Sequence, residues 1–186
     1  MTKKVSRETK LYKPHINLYL DPSSTNTGVA ILKEGTLDVV LDSINLSKLQ
    51  KPLDISQVDY EKIKFGCIKN YLDKLQEIYE IDLVFMEGIF IQPKFLKSSE
   101  VLLKLHGFLI GYFIDKKQYY QPPSIIKKMI AGKGNANKEE VKRVLEEHYH
   151  YKFKNSDESD AFALLVSDKG FLEFRLQNKE GGLLDD

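Results

Sequence analysis

The feature that most constrains the fold is a strand-turn-strand pattern in residues 18–32, which read LYLDPSSTNTGVAIL. Two apolar runs flank a short polar turn, and this pattern predicts two antiparallel strands joined by a tight connection. The first run ends at Asp21, so the strand holds this carboxylate at its tip, and the small residues nearby leave space beside it. An alternative interpretation is that Asp21 and Pro22 only initiate the turn.

The rest of the pattern predicts an α/β fold with a mixed five-stranded sheet and helices on both faces. A third strand at residues 37–46 extends the hairpin into an antiparallel meander, and apolar residues at helical spacing predict a helix at 57–80. The short run LVFMEG at 83–88 is typical of a buried parallel strand and contains a second acid, Glu87, at its end. The remaining elements are predicted as a helix at 98–114, a strand at 119–120, helices at 122–131 and 137–149, and a helix after Asn155 and Ser156.

Four carboxylates from distant parts of the chain fall where this fold can bring them together. Asp21 and Glu87 end two central strands, and open α/β sheets bind ligands at the carboxyl ends of their strands. Asp157 and Asp160 are three residues apart at the start of a late helix, so they share one helix face. Taken alone, this pair is better explained by a favourable interaction with the helix dipole. The combination with the two strand acids indicates a shared site.

Carboxylates that lie close together raise each other's pKa unless a cation neutralises them. The chain has one cysteine, and its four histidines show no evident metal-binding pair. A ligand set made only of oxygen atoms favours Mg²⁺ or Mn²⁺. Two such ions about 4 Å apart can activate a water molecule and stabilise the leaving oxygen of a phosphodiester. The pattern therefore predicts a metal-dependent nuclease.

The same residues resemble those of the ribonuclease H-like nucleases and, among these, the RuvC Holliday junction resolvases. LDPSSTNTGVAIL resembles the strand-DPG-turn-TG-strand opening of that family, and SDESDAFALLVSD resembles its DAADALAIA helix. SIIKKMIAGKGNANKEEV resembles a segment in which a GxG break separates two lysines, which match Lys127 and Lys138 here. The similarity covers about residues 16–168 and is greatest to the phage-encoded branch, although Pro22-Ser23 stands where cellular members have Pro-Gly.

The resemblance implies a ribonuclease H-like fold and an endonuclease that cuts Holliday junctions and other branched DNA. It also implies that four acids are catalytic residues and ligands of two Mg²⁺ or Mn²⁺ ions, namely Asp21, Glu87, Asp157 and Asp160. The implied reaction is in-line attack by an activated water on the scissile phosphate, which leaves a 5′-phosphate.

A second group of residues is expected to contact the DNA. Phe90 stands three residues after Glu87, where RuvC proteins place an aromatic wedge in the junction; its alternative interpretation is a residue of the core. Basic residues interleaved with aromatic ones suit phosphates beside unstacked bases. The lysines expected to bind phosphates are Lys94, Lys97, Lys127, Lys133 and Lys138, each of which could instead be an ordinary solvated side chain.

The symmetry of a four-way junction, with two equivalent strands to cut, predicts a homodimer. The apolar helix at 98–114 is the expected interface, and burial in a monomer core is the alternative. The predicted organisation is a basic tail at residues 1–14, one nuclease domain at 15–177 and a frayed end at 178–186. The charged start, the single cysteine and the absence of a bilayer-length apolar run predict a cytoplasmic protein, in a bacterial host if the chain is phage-encoded.

Two other functions fit parts of the sequence. One is a non-catalytic protein that binds branched DNA on the same fold, but binding alone gains nothing from acids beside phosphates. The other is an actin-like phosphotransferase, whose first hairpin also carries an acid and a Ser/Thr/Gly turn. A chain of 186 residues is too short for the usual two subdomains of that group.

Overall fold

The computed structural model describes residues 14–36, 38–89 and 96–168, with the side chains of 96–98 excepted. The strands are β1 (Ile16–Asp21), β2 (Asn26–Lys33), β3 (Val39–Asn45), β4 (Leu83–Glu87) and β5 (Lys117–Gln121). The helices are α1 (Gln57–Ile78), α2 (Leu96–Tyr112), α3 (Pro123–Ala131), α4 (Lys138–Tyr149) and α5 (Ser156–Val166). The predicted order of elements is confirmed. The predicted tail and frayed end lie outside the described residues, apart from Pro14.

The five strands form one mixed sheet in the order β3-β2-β1-β4-β5. The pairs β1–β2 and β2–β3 are antiparallel, whereas β1–β4 and β4–β5 are parallel. The predicted meander and the predicted pair of parallel strands are therefore confirmed. This order places β1 in the middle of the sheet, directly beside β4, so the two strands that end in an acid are neighbours.

Each face of the sheet is covered by helices, because the strands alternate buried side chains between two cores. On one face, Tyr19 and Ala30 pack with α3, α4 and α5, and Phe162 of α5 is fully buried there. On the other face, Leu18 and Val29 pack with α1 and α2. The candidate functional site lies on the face of the sheet that α5 covers.

Helix α2 is buried on one side and exposed on the other. Leu105, Leu109 and Phe113 pack in the core, whereas Leu103 and Ile110 are each 46% exposed and Ile114 beyond the helix is 81% exposed. The core interpretation of this helix is thus correct for one face, and the other face is apolar and open. Among the described residues, no helix is both long enough and apolar enough to cross a membrane.

Helix α5 lies unusually close to the sheet at Gly28. A side chain there would place its Cβ atom 2.0 Å from the carbonyl oxygen of Asp157 and 3.2 Å from the Cβ atom of Ala161. Because a β-carbon does not fit at the first of these distances, only glycine lets the first turn of α5 rest on β2 in this position. The conformational freedom of glycine is not the reason, since only the missing side chain matters here.

We predict that Gly28→Ala moves the start of α5 away from the sheet and lowers the free energy of unfolding by about 1–3 kcal/mol. Urea denaturation followed by circular dichroism measures this change. Gly66→Ala on α1 is the matched control, because a Cβ atom at Gly66 meets nothing within 4 Å. The control should keep its stability or gain up to about 1 kcal/mol. A Gly28→Ala variant as stable as the parent would contradict the packing described.

Candidate active site

Asp21 and Glu87 are neighbours at the same end of two parallel strands. Leu20 pairs with Met86, so the next residue on each strand, the acid, continues the same register. Asp21 lies two residues after Tyr19 on β1, and Glu87 lies two residues after Phe85 on β4. Both acids are therefore on the face of the sheet that α5 covers. The side chain of Glu87 raises the pKa of Asp21 through its charge and a side-chain hydrogen bond, so the two carboxyl groups lie close together. The sequence prediction that these two acids meet is supported by this contact.

The surroundings of Asp21 make its negative charge unfavourable. Burial is the largest effect and raises the pKa of Asp21 well above its usual range, and the hydrogen bond and the charge of Glu87 raise it further. The charge of Asp157 acts in the same direction, whereas the ammonium group of Lys138 lowers the pKa. A divalent cation would oppose these effects, because its charge favours the ionised form of the carboxylates.

Asp157 in the first turn of α5 and Asp160 one turn later lie near this pair, because their charges act on Asp21 or are acted on by it. Asn155 caps the helix by accepting a hydrogen bond from the backbone N–H of Glu158 at 2.9 Å. Glu158, which is buried, accepts a bond from the backbone N–H of Lys154 at 2.9 Å, so it stabilises the cap and points away from the other acids. The helix start, with its positive dipole end, is therefore firmly placed beside the strand acids.

Lys138 at the start of α4 is ion-paired with Asp160. Burial raises the pKa of Asp160, and the charge of Asp21 adds to the rise, while Lys138 opposes it. Burial also disfavours the charged form of Lys138, but the bond to Asp160 and the charges of Asp21 and Glu87 outweigh this effect and raise the pKa of the lysine. One ammonium group thus acts as the counter-ion for several carboxylates.

A cleft opens beside these groups between β4 and three helices. It is lined by Glu87, Pro123, Ile126, Lys127, Lys138, Val141, Asp160 and Ala163. Two of the predicted phosphate-binding lysines, Lys127 and Lys138, therefore face the cleft together with two of the predicted metal ligands. Lys133 does not line it, and its ammonium group instead lies 2.9 Å from a carboxylate oxygen of Glu140. Phe90 and Lys94 lie outside the described residues, as does the side chain of Lys97.

The donor set fits a hard divalent cation, although the four acids are not yet gathered round one point. Within the described residues, no three Asp, Glu, His or Cys side chains are close enough to hold one ion. Asp160 is ion-paired with Lys138, so it would have to leave that lysine to join a shared ligand set. Carboxylate oxygens are the ligands that Mg²⁺ and Mn²⁺ prefer, and Asp21, Glu87 and Asp160 supply them beside Lys138.

Sequence reasoning missed three residues around the site. Gln121 on β5 pairs in register with Glu87, and its position at a strand end was the available signal. Asp168 accepts a hydrogen bond from the hydroxyl of Tyr19 at 2.7 Å. Ser43 on β3 accepts a bond from the amide of Asn155 at 3.0 Å. The last contact joins residues far apart in sequence, and no local pattern indicates it.

We predict that Asp21→Asn stabilises the metal-free protein at neutral pH. Because the pKa of Asp21 is raised in the folded state, its stabilising protonated form is lost as pH rises through that pKa. Asparagine cannot ionise, so the variant should unfold at a higher temperature than the parent at neutral pH, and the difference should vanish in acid. Each kcal/mol gained corresponds to about 2–4 °C in a chain of this size.

Thermal unfolding in EDTA across the pH range measures this effect. Asp115→Asn is the matched control, because Asp115 is 73% exposed and the same substitution there removes a solvated charge. It should show no comparable pH-dependent gain. A lower unfolding temperature for Asp21→Asn at neutral pH would contradict the unfavourable burial of this carboxylate.

The chain is similar in sequence to known proteins. The family model described as crossover junction endodeoxyribonuclease RuvC matches residues 18–168. The RuvC of Orientia tsutsugamushi strain Ikeda is 32% identical over 154 residues, covering 80% of this chain and 91% of the relative. The RuvC of strain Boryong is 31% identical over the same length and shares.

Solved structures show the same fold at lower identity. Thermus thermophilus RuvC in complex with Holliday junction substrate superposes with a TM-score of 0.62 at 16% identity, covering 85% of this chain and 95% of that one. The yeast mitochondrial Holliday junction resolvase gives 0.57 at 13% identity, covering 92% and 83%. These structures confirm the ribonuclease H-like fold class. The matches together establish that the chain belongs to the RuvC family of crossover junction endodeoxyribonucleases.

Proposed function

We propose that this protein is a divalent-metal-dependent endonuclease that cuts Holliday junctions and related branched DNA. The observation that carries the proposal is the pair of acids Asp21 and Glu87, which lie side by side at the ends of two paired parallel strands. The relatives support the substrate class, since they are named crossover junction endodeoxyribonucleases. A protein that only binds DNA would gain nothing from two adjacent carboxylates near the phosphates.

In this proposal each acid has a role set by its position. Asp21 and Glu87 hold the ions from the strand ends, and Asp157 and Asp160 complete the ligand set from α5. The bound ions supply the Lewis acidity that activates water and neutralises charge on the phosphate. Mg²⁺ is the expected ion and Mn²⁺ its substitute, with two ions in each site.

The lysines that line the cleft have complementary roles. If a cation took the place of Lys138 beside Asp160, the ammonium group of Lys138 would be available to bind a phosphate oxygen and to stabilise the negative charge that develops in the reaction. Lys127 lies on α3 along the same cleft and contacts the DNA backbone. Phe90, Lys94, Lys97 and Lys133 are further proposed DNA contacts: Phe90 from the family resemblance, and the lysines from the basic residues of the sequence.

The bonds made and broken are those of phosphodiester hydrolysis. The oxygen of a water molecule attacks phosphorus in line with the bridging 3′ oxygen, and the bond between phosphorus and that oxygen breaks. The water loses a proton to the surrounding solvent, and the departing 3′ oxygen gains one. The products are a 3′-hydroxyl and a 5′-phosphate.

A homodimer is part of the proposal, because one site cannot reach two opposed strands of a junction at once. The exposed apolar residues of the α2 region, Leu103, Ile110 and Ile114, are the surface we assign to the contact. Burial of such a surface between two copies would remove apolar area from water, which is the usual source of stability in obligate dimers.

We predict that the protein nicks a synthetic four-way junction on opposed strands when Mg²⁺ or Mn²⁺ is present and is inactive in EDTA. Linear duplex of the same sequence should stay intact, and both strands should be read on a denaturing gel. Asp160→Asn should lower cleavage more than the 10- to 100-fold typical of an outer-shell change, because it removes a proposed ligand. Asp115→Asn, which changes an exposed acid in the same way, should cut normally. A junction that is bound but never cut at any metal concentration would identify the non-catalytic alternative.

Phe90→Ala tests the proposed wedge. We predict that this variant cuts an intact junction about tenfold or more slowly, because the loss of one base-stacking contact costs about 1–3 kcal/mol. A flexible junction that already carries a nick needs no wedge to open it, so its cleavage should change little. Equal losses on the two substrates would show that Phe90 supports the fold instead.

A further inference from the structure

Asn155 uses both ends of its side-chain amide. Its oxygen accepts the bond from the backbone N–H of Glu158 at 2.9 Å and so caps α5. Its Nδ2 group donates to the hydroxyl of Ser43 on β3 at 3.0 Å, across 112 residues of sequence. The first bond is what any good N-cap residue provides, whereas the second ties the helix start sideways to the sheet.

The hydrogen bond between Asn155 and Ser43, which we call the tie, lies in line with the strand acids. Ser43 pairs in register with Gly28, and Gly28 pairs with Asp21, so the three residues form a row across the sheet that continues to Glu87. Val39, Leu41 and Ser43 are alternate residues of β3, so their side chains share one face of the sheet. Val39 and Leu41 pack towards α5, and the hydroxyl of Ser43 is therefore on the same face as the acids. The amide of Asn155 therefore holds α5 at the level at which the carboxylates meet.

The tie has a physical role, because the carboxylates of the neighbouring site repel one another. Asp157 and Asp160 on α5 face Asp21 across a short gap, and their charges act unfavourably on each other. The contact at Gly28 sets how closely α5 approaches the sheet, since there is no side chain in between. Gly28 has no side chain that could hold α5 in place, so packing at Gly28 does not fix the position of the helix start along the surface of the sheet. The bond to Ser43 supplies that restraint.

The second N-cap asparagine of the chain differs in this respect. Asn137 caps α4 by accepting from the backbone N–H of Glu140 at 2.8 Å, which matches the cap bond of Asn155. In the part of the chain that the structure describes, Asn137 has no hydrogen bond to a strand. The connection to the sheet is therefore specific to the helix that carries Asp157 and Asp160.

We propose that Asn155 and Ser43 are positioning residues that hold Asp157 and Asp160 over the strand acids and thereby raise the affinity of the site for divalent metal. The inference rests on the proposed function for its effect on cleavage, but its effect on metal binding is independent of any reaction. Serine at 155 separates the two bonds, because it caps a helix about as well as asparagine but has no amide to reach Ser43.

We expect Asn155→Ser and Ser43→Ala each to weaken Mn²⁺ binding about three- to tenfold, which is the usual worth of one such hydrogen bond. The binding is measured without DNA, from the electron paramagnetic resonance signal of free Mn²⁺. Ser43→Thr keeps the hydroxyl and should restore the parent affinity. The double variant Asn155→Ser with Ser43→Ala should be no weaker than either single change, since both remove the same bond.

Asn45→Ser is the matched control, because it makes the same substitution on β3 two residues from Ser43 and leaves the tie intact. It should bind Mn²⁺ like the parent. In cleavage assays, the two tie variants should need the same three- to tenfold more Mn²⁺ for half-maximal cutting, while their affinity for the junction in EDTA stays unchanged. Ser43→Ala keeps the cap of α5, so it tests the tie even if Asn155→Ser folds poorly.

Parent-like Mn²⁺ affinity in both tie variants would overturn the inference, and so would an equal loss in Asn45→Ser or a failure of Ser43→Thr to restore binding. A parent protein that binds Mn²⁺ but cuts no junction would instead refute the proposed function. In that case the binding data still decide whether Asn155 and Ser43 position the acids.

Discussion

The parallel pairing of β1 with β4 is the constraint from which the rest of the site follows. It places Asp21 and Glu87 side by side, on one face, in surroundings that raise the pKa of Asp21 by burial and by the neighbouring acid. Such a pair is costly in a folded protein unless a proton or a cation lies between its members. A divalent cation bound between the two carboxylates would remove this cost.

The surrounding elements limit the cost of this charge and complete the ligand set. Gly28 lets α5 rest on the sheet, so that Asp157 and Asp160 approach the pair from a helix N-terminus whose dipole favours anions. Lys138 reaches from α4 and acts as counter-ion to Asp160. Because the same lysine lines the cleft, the exchange of lysine for metal at Asp160 would also deliver a positive charge to an incoming phosphate.

Local sequence patterns were sufficient to predict the acids at the ends of β1 and β4 and the N-cap at Asn137, since these depend on short-range rules. They were less successful in predicting which side chains are buried or paired, because tertiary packing determines these features. Ile63 and Ile78 fit the helical period of α1, yet they are 43% and 70% exposed, because the helix turns a different side towards the sheet. The lysines look alike in sequence, but only the fold separates Lys138, which meets the acids, from Lys133, which pairs with Glu140. The similarity to the phage-encoded branch and the role of Phe90 stay predictions.

Diffraction from crystals soaked in Mn²⁺, with anomalous signal recorded near the manganese edge, tests the central claim most directly. The account predicts a manganese peak between Asp21 and Glu87, with Asp157 or Asp160 among its ligands and Lys138 turned away from Asp160. A structure in which Asp21 and Glu87 keep their hydrogen bond, Lys138 keeps its ion pair and manganese binds elsewhere would contradict it.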